Sequence, residues 1–307
     1  MSMSDLSEKL NQCADLLKGE VVYLDYPVYG NIGDHLIWQG AKALLNKNDV
    51  KVIGQFGKRL GLRAHRCMAK GATICMQGGG NFGDLYAYHQ TFRSEIIQRY
   101  PDKRIVILPV SIHYKDKENF KAFYALLSTH PDIHICTRDA ESLSFLKEYG
   151  VTNSYLFPDT AHAMWPVQTT GPEKEGSVLY LLRDDIEAAY LPEELGQVKA
   201  VDWCDLNKGM TRLCFDIGSR IDQIGGRLLG NYLPGYTTWS FASQKLIRDA
   251  VDLFSPYETI VTNRLHAMIL AALMQKKCIV YDNSYGKLSR YYNLWLKDVP
   301  RIEFREI

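Results

Sequence analysis

The sequence has almost no charge imbalance. Over 307 residues, 36 Lys and Arg stand against 35 Asp and Glu, a net charge of +1. A dedicated DNA-binding protein carries a basic excess, and a polybasic membrane anchor carries a local one; both are missing. Cysteine pairing signals are missing too. The seven cysteines, Cys13, Cys67, Cys75, Cys136, Cys204, Cys214 and Cys278, are scattered and include no C-x-x-C. That argues against a zinc cluster or a disulfide framework and fits reduced thiols in the cytosol. No hydrophobic run is long: Ala267 to Met274 falls far short of the roughly 20 residues that span a bilayer. The N-terminus, Met1 to Gly19, reads as an amphipathic helix carrying Asp5, Glu8, Lys9 and Asp15, not as a signal peptide. There is no H-E-x-x-H and no G-x-S-x-G, so neither a metal site nor an α/β-hydrolase is expected. No repeat or low-complexity segment interrupts the chain.

What is present is the composition of a soluble globular protein, 46% hydrophobic and 23% charged. The length exceeds what one core usually supports, which favours two domains. Strand-like runs at Val21–Tyr26, Val50–Ile53, Ala72–Gln77, Arg104–Val110, Ile133–Thr137 and Tyr155–Phe157 alternate with helical patterns at Gly33–Leu45, Leu85–Tyr100, Glu118–Ser128 and Ala140–Tyr149. Such alternation implies right-handed β-α-β units and a parallel sheet. A polar, Pro/Gly-containing stretch at 166–176 then reads as a linker. A second α/β series follows, with strands at Ser177–Leu182, Thr259–Thr262 and Cys278–Tyr281 and helices at Trp239–Phe254, Leu265–Met274 and Leu288–Leu296. The expected architecture is two Rossmann-like α/β domains facing a cleft, 1–165 and 177–307, with the last helix packing back on the first. Residues 187–235 show no readable pattern.

Ligands of open α/β sheets bind beyond the carboxyl ends of the strands, and the unusual residues fall there. Gly30-Asn31-Ile32-Gly33-Asp34-His35 follows the first strand and opens a helix, a place that favours anions. It lacks the G-x-G-x-x-G spacing of a dinucleotide site, and reads equally well as a tight turn with Asp34 complementing the helix dipole. Gly78-Gly79-Gly80-Asn81-Phe82-Gly83-Asp84 follows the third strand. Three consecutive glycines cost more backbone entropy than a plain turn requires, which favours close approach to a ligand. No Lys-Ser/Thr follows, so this is not a P-loop. Arg138-Asp139 ends the fifth strand; taken alone it reads as a surface ion pair. Asp159 and Thr160 end the sixth and read first as caps. Thr262-Asn263-Arg264-Leu265-His266 joins a strand to an otherwise apolar helix. Arg264 and His266 reach one ligand only if they lie at the turn into that helix, with Thr262 and Asn263 as N-caps. Among the aromatics, Tyr86, Tyr88 and Trp239 are candidates for stacking on a sugar ring.

Taken together, Gly30-Asn31-Ile32-Gly33-Asp34, Gly78-Gly79-Gly80-Asn81-Phe82-Gly83-Asp84, Arg138-Asp139 with Ser142, Pro158-Asp159 and Arg264-Leu265-His266-Ala267 resemble the polysaccharide pyruvyl transferase family. Asp282 and Tyr285-Gly286-Lys287 resemble its closing motif. The likeness spans nearly the whole chain in family order. It implies the two-domain fold of B-type glycosyltransferases. It also implies transfer of the enolpyruvyl carbons of phosphoenolpyruvate onto two sugar hydroxyls, giving a pyruvate ketal in bacterial exopolysaccharide, capsule or cell-wall glycan.

On that resemblance the partners are phosphoenolpyruvate and a saccharide acceptor, free or lipid-linked, with no nucleic acid, metal or cofactor. The protein would work in the cytoplasm, at the inner face of the membrane for a lipid-linked acceptor. His266, Asp34 and Arg138 are the expected catalytic residues. His266 protonates the donor methylene or stabilises departing phosphate. Asp34, or in its place Asp84, deprotonates the acceptor. Arg264 and the adjacent helix N-terminus hold one anionic group and Arg138 the other. Leu265, Gly30, Asn31, Gly33, Gly78, Gly79, Gly80, Asn81, Asp84 and Asp159 complete the expected substrate site. A nucleotide-sugar glycosyltransferase and a non-catalytic glycan-binding or assembly protein remain the alternative readings.

Overall fold

A computed structural model describes residues 1–57, 71–183, 198–206, 209, 212–218, 220, 236–282 and 286–306. His65, Cys67, Tyr285 and most of 187–235 lie outside the described residues. The N-terminal amphipathic stretch forms two short helices, α1 (Met3–Lys9) and α2 (Asn11–Ala14). A seven-stranded sheet follows, built from β1 (Val21–Tyr26), β2 (Val52–Gly57), β3 (Thr73–Met76), β4 (Gly79–Gly83), β5 (Ile105–His113), β6 (Ile133–Thr137) and β7 (Ser154–Leu156). Its order is β2-β1-β3-β5-β6-β7, and every pairing is parallel. The crossover helices are α3 (Ile32–Lys47), α4 (Ala87–Arg99), α5 (Lys117–Thr129) and α6 (Ala140–Glu148).

A second parallel sheet, in the order β11-β10-β9-β8, comprises β8 (Lys174–Leu181), β9 (Tyr257–Thr262), β10 (Lys277–Tyr281) and β11 (Ile302–Arg305). Between its strands run α7 (Tyr236–Phe254), α8 (Leu265–Leu273) and α9 (Lys287–Tyr291), the last continuing into a π-helical turn at Tyr292–Leu296. The α/β class and the parallel pairing agree with the sequence pattern. Local details differ. β8 begins at Lys174, inside the stretch read as a linker, because it pairs with β9 from Lys174 onward. The periodicity at Leu288–Leu296 belongs to a helix that widens into the π turn.

The glycine run is itself a strand. β5 is long enough to pair with β3 through Ile105–Ile107 and then with β4 through Val110–His113. This pairing accounts for Gly78 and Gly83. A Cβ on Gly78 would stand 2.6 Å from the Pro109 carbonyl oxygen, and one on Gly83 only 1.7 Å from that of His113, at φ +135°. These glycines admit a neighbouring backbone, not a ligand.

Both faces of the first sheet are covered, as all-parallel sheets require. Val22, Leu24, Ile74 and Ile107 face a core roofed by α4 and α5. Val21, Tyr23, Cys75 and Val106 face a second core, which passes through α3 to α7 and α8 without a break. α3 is therefore shared by both halves. Its Gly40 lies so close to the 3₁₀ turn at Thr160–Met164 that a Cβ would meet the Thr160 carbonyl at 2.2 Å. Gln39 and Lys42 donate to Ser243 and Ser240 of α7, at 2.8 and 2.9 Å.

Two histidines are sealed in this region. His35 bonds the Tyr29 carbonyl at 2.6 Å and His162 the Tyr291 hydroxyl at 3.0 Å, each through Nε2, and neither Nδ1 has a partner. Burial pushes both down to about 4, against 6.5 in an unfolded chain. The unfolded state therefore binds more protons between those values. The stabilising contribution is complete above about pH 6.5 and is lost as pH falls towards 4, by up to about 3 kcal/mol per histidine. The urea midpoint should drop steeply across that window; a midpoint independent of pH there would contradict it.

Candidate active site

In the first sheet the chain leaves β1 towards β2 on one side and β3 on the other. The crevice at such a reversal is where α/β sheets bind ligands. A cleft of about 340 Å³ opens there, between the carboxyl ends of β1 and β6, the start of β4 and the segment joining β9 to α8. A smaller lobe of about 90 Å³ adjoins it across Gly80, Leu265 and Lys287.

The β1–α3 turn supplies the first wall. Asn31 caps α3 by accepting from the Gly33 amide at 3.0 Å. Asp34, in the first turn of α3, lines the cleft. Burial raises its carboxyl above the usual range, opposed by His266, a hydrogen bond from Tyr29, His89 and Arg138. The Tyr29 hydroxyl is raised well above its usual range by burial and then by Asp34 and Asp25. From the glycine run, Gly80 and Asn81 reach the cleft. A Cβ on Gly80 would come 3.0 Å from Nη2 of Arg138 and 3.3 Å from Nζ of Lys287, so a glycine keeps both cations at the wall.

Arg138, at the end of β6, is almost fully buried. Its Nη1 donates to Oδ2 of Asp159 at 2.6 Å and its Nε to Ser111 at 2.9 Å. Asp159 also accepts from the Ala161 amide at 3.0 Å and lies 3.4 Å from Nε2 of His266. Burial alone would raise this carboxyl. The His266 contact, Arg138 and the Ala161 amide outweigh it and hold Asp159 well below the usual carboxylate range. An ionised Asp159 accepts the Nε2 proton of His266, which leaves Nδ1 for other work. Nδ1 sits against Gly33, where a Cβ would approach to 2.5 Å. Arg264 is the N-cap residue of α8, and its Nη2 donates to both oxygens of Asp202, at 2.6 and 2.7 Å.

The sequence matches the description "Polysaccharide pyruvyl transferase" over residues 31–285. The chain belongs to this family. It is a transferase of the pyruvyl transferase class, and the family's work is the pyruvylation of polysaccharide. Among relatives, EpsO of Bacillus subtilis (strain 168), by name a candidate pyruvyl transferase, is 36% identical over 302 residues, covering 97% of this chain and 93% of EpsO. Pyruvyl transferase 1 of Schizosaccharomyces pombe is 27% identical over 291 residues, covering 90% of this chain and 70% of its own length. A crystal structure of a functionally uncharacterised protein from Klebsiella pneumoniae has the same fold, with a TM-score of 0.64 at 17% identity and 98% coverage of both chains.

Within this pyruvyl transferase, the cleft gathers Asn31, Gly33, Asp34, Gly80, Asn81, Arg138, Arg264, Leu265 and His266 from the residues that the sequence put forward. It leaves out Gly30, Gly78, Gly79, Asp84 and Asp159. Asp84 accepts from the amides of Lys115 and Asp116, both at 2.9 Å, and so fixes the start of α5; this removes it as an acceptor base. Gly79 packs on Ile37. Asp159 lies behind the wall as the partner of Arg138. Asp139 is not that partner: it caps α6 by accepting from Ser142. Asn263 accepts from the Arg183 amide and does not cap α8. Trp239 is buried against Phe215 and cannot stack on a sugar, whereas Tyr86 lines the cleft.

The cationic character of the site also differs from the expectation. Arg138 and Arg264 each carry a carboxylate partner, so each pair is neutral overall. The transferase cleft gains Lys287, Arg183 and His89 in addition. Lys287 stood within the closing motif without a role. In the structure, Asp282 accepts from the amides of Leu288 and Ser289 at 3.1 and 3.4 Å, which ties down the first turn of α9. Arg183 and His89 carried no signal in local spacing. No helix among the described residues is long and apolar enough to cross a membrane.

Proposed function

We propose that this transferase takes phosphoenolpyruvate as donor and joins its C2 to two hydroxyls of a saccharide, releasing phosphate and leaving a pyruvate ketal on an exopolysaccharide, capsule or cell-wall glycan. The acceptor is free or lipid-linked, no cofactor or metal takes part, and the reaction runs in the cytoplasm or at the inner membrane face. The finer architecture in this reading is that of B-type glycosyltransferases, with the two sheets as domain cores on either side of the cleft.

The observation that carries the reading is the meeting of Nη2 of Arg138, Lys287, Arg264 and His266 with the raised carboxylate of Asp34 in one cleft. The donor bears a carboxylate and a phosphate within a few ångströms, and guanidinium and ammonium groups recognise both. His266 delivers a proton to the methylene carbon, which makes C2 electrophilic. Asp34, kept basic by its surroundings, takes the proton of the attacking hydroxyl. A second hydroxyl then displaces phosphate.

The test is phosphate release from phosphoenolpyruvate in the presence of a panel of saccharides bearing neighbouring hydroxyls, with product mass 70 Da above the acceptor, the increment of C₃H₂O₂. Phosphoenolpyruvate should raise Tm and nucleotide-sugars should not. Stabilisation by UDP- or GDP-sugars alone, without phosphate release, would favour a glycosyltransferase instead.

A further inference from the structure

The ketal reading leaves one chemical need unmet and one buried cluster unused. Each turnover breaks two O–H bonds, and Asp34 accepts one of those protons. On the same cleft wall stands His89, in the first turn of α4. Its Nδ1 lies 3.0 Å from Oδ2 of Asp25. Asp25 is 4% exposed and sits in β1 with φ +72°, a left-handed conformation uncommon outside glycine. Such a backbone outlier beside a cleft points to a side chain whose placement matters.

The surroundings fix this pair. The side-chain nitrogen of Asn81 packs 3.4 Å from Nδ1 of His89, a steric contact rather than a hydrogen bond because the Nδ1 proton is directed at Asp25. Asn81 is held in turn by the fully buried Arg93, which donates to its carbonyl oxygen at 2.9 Å and to its side-chain oxygen. The Arg93 guanidinium rests on the Phe82 ring, 4.9 Å from its centre. A carboxylate only accepts, so the bond to Asp25 places the proton of neutral His89 on Nδ1. Nε2 then carries the lone pair, and among the described residues no group bonds it. Tyr29, edge-on to the His89 ring at 6.4 Å, and the half-exposed Tyr86 line the same stretch of cleft and offer apolar surface to a sugar ring.

We propose that His89 is a second catalytic base, serving the acceptor hydroxyl whose attack expels phosphate, and that Asp25 is its positioning residue. This rests on the ketal-forming reading. In this step the O–H bond of the hydroxyl breaks and its electron pair forms the O–C2 bond. The proton moves to Nε2 of His89. The C2–O bond to phosphate breaks, and its pair leaves on the phosphate oxygen. The imidazolium, held against the Asp25 carboxylate, returns the proton to the departing phosphate, so the residue ends as it began. A base oriented by a buried carboxylate is the arrangement that stabilises an imidazolium without relaying its charge.

The test uses the full chain with phosphoenolpyruvate and a saccharide that supports turnover. His89→Ala should lower kcat by 10²-fold or more while the Kd for phosphoenolpyruvate stays within twofold, and added imidazole should restore part of the rate. Asp25→Asn should lower kcat by tenfold or more with both KM values within twofold, a split that general loosening of the site does not produce. Turnover of His89→Ala within threefold of wild type overturns the proposal. So does loss of donor binding in step with loss of rate, because that places His89 in the donor site. A wild-type protein that releases no phosphate from phosphoenolpyruvate with any saccharide overturns the ketal reading, and this proposal with it.

Discussion

His266→Ala is expected to lower turnover with phosphoenolpyruvate by about 10²–10⁴-fold, the usual contribution of a positioned proton donor, while the protein stays folded. The side chain is only 15% exposed, and its Nε2 faces Asp159 at 3.4 Å. Asp159 would keep Arg138 and the Ala161 amide as partners after the loss, so the cost to stability should be modest. What disappears is a ring whose Nε2 is engaged by an ionised carboxylate and whose Nδ1 is set against Gly33. Gly33→Ala tests the same geometry without touching the imidazole. Its Cβ would fall 2.5 Å from Nδ1, so the ring must move, and rate should fall while His266 is still present. Phosphate release under saturating donor measures both. A His266→Ala protein turning over within threefold of wild type would remove this residue from the chemistry.

Arg138→Met is expected to cost about 3–5 kcal/mol of stability, because it strands a buried carboxylate. In a chain of this size that lowers Tm on the order of 10 °C. The methionine fills much of the same volume, so the loss is electrostatic. Asp159 is fully buried, and its depressed pKa depends in part on Arg138. Without the guanidinium it must be buried as an anion facing mainly His266 and one amide, or take up a proton. Adding Asp159→Asn to Arg138→Met should recover a large part of the loss, since the amide oxygen still accepts from Ala161 and no charge is left behind. Urea unfolding of the two variants measures this coupling. If the double variant is no more stable than the single one, the ion pair is not what holds this wall. Activity should not return in either, because Nη2 is gone from the cleft.

The local pattern announced most of the framework. β1 is buried along its whole length and apolar but for Asp25, β5 is apolar and buried from Ile105 to Val110, and the helices after β5 carry their own caps, Asp116 before α5 and Asp139 before α6. Strand ends could therefore be placed, and with them Asp34, Arg138 and His266. What escaped was information carried by distant segments. β4 is a run of glycines with little intrinsic strand preference, and only the second half of β5 makes it a strand. Arg264 meets Asp202 across 62 positions, and His89 meets Asp25 across 64. No spacing rule links such pairs, so an arginine read as an open anion clamp is already engaged by a carboxylate. Gly33 was legible as a glycine at a helix start, but its neighbour is an imidazole from α8, which the turn itself does not reveal.

α3 has one more consequence. Its first turn carries Asp34 at the cleft, and its body is locked on one flank by Thr160 and on the other by Ser240 and Ser243. The two halves therefore cannot swing apart as doors do without tearing apolar packing from this helix. On the proposed reading, Asp34 therefore holds its place at the cleft before any ligand arrives, which leaves little reorganisation for the moment of reaction.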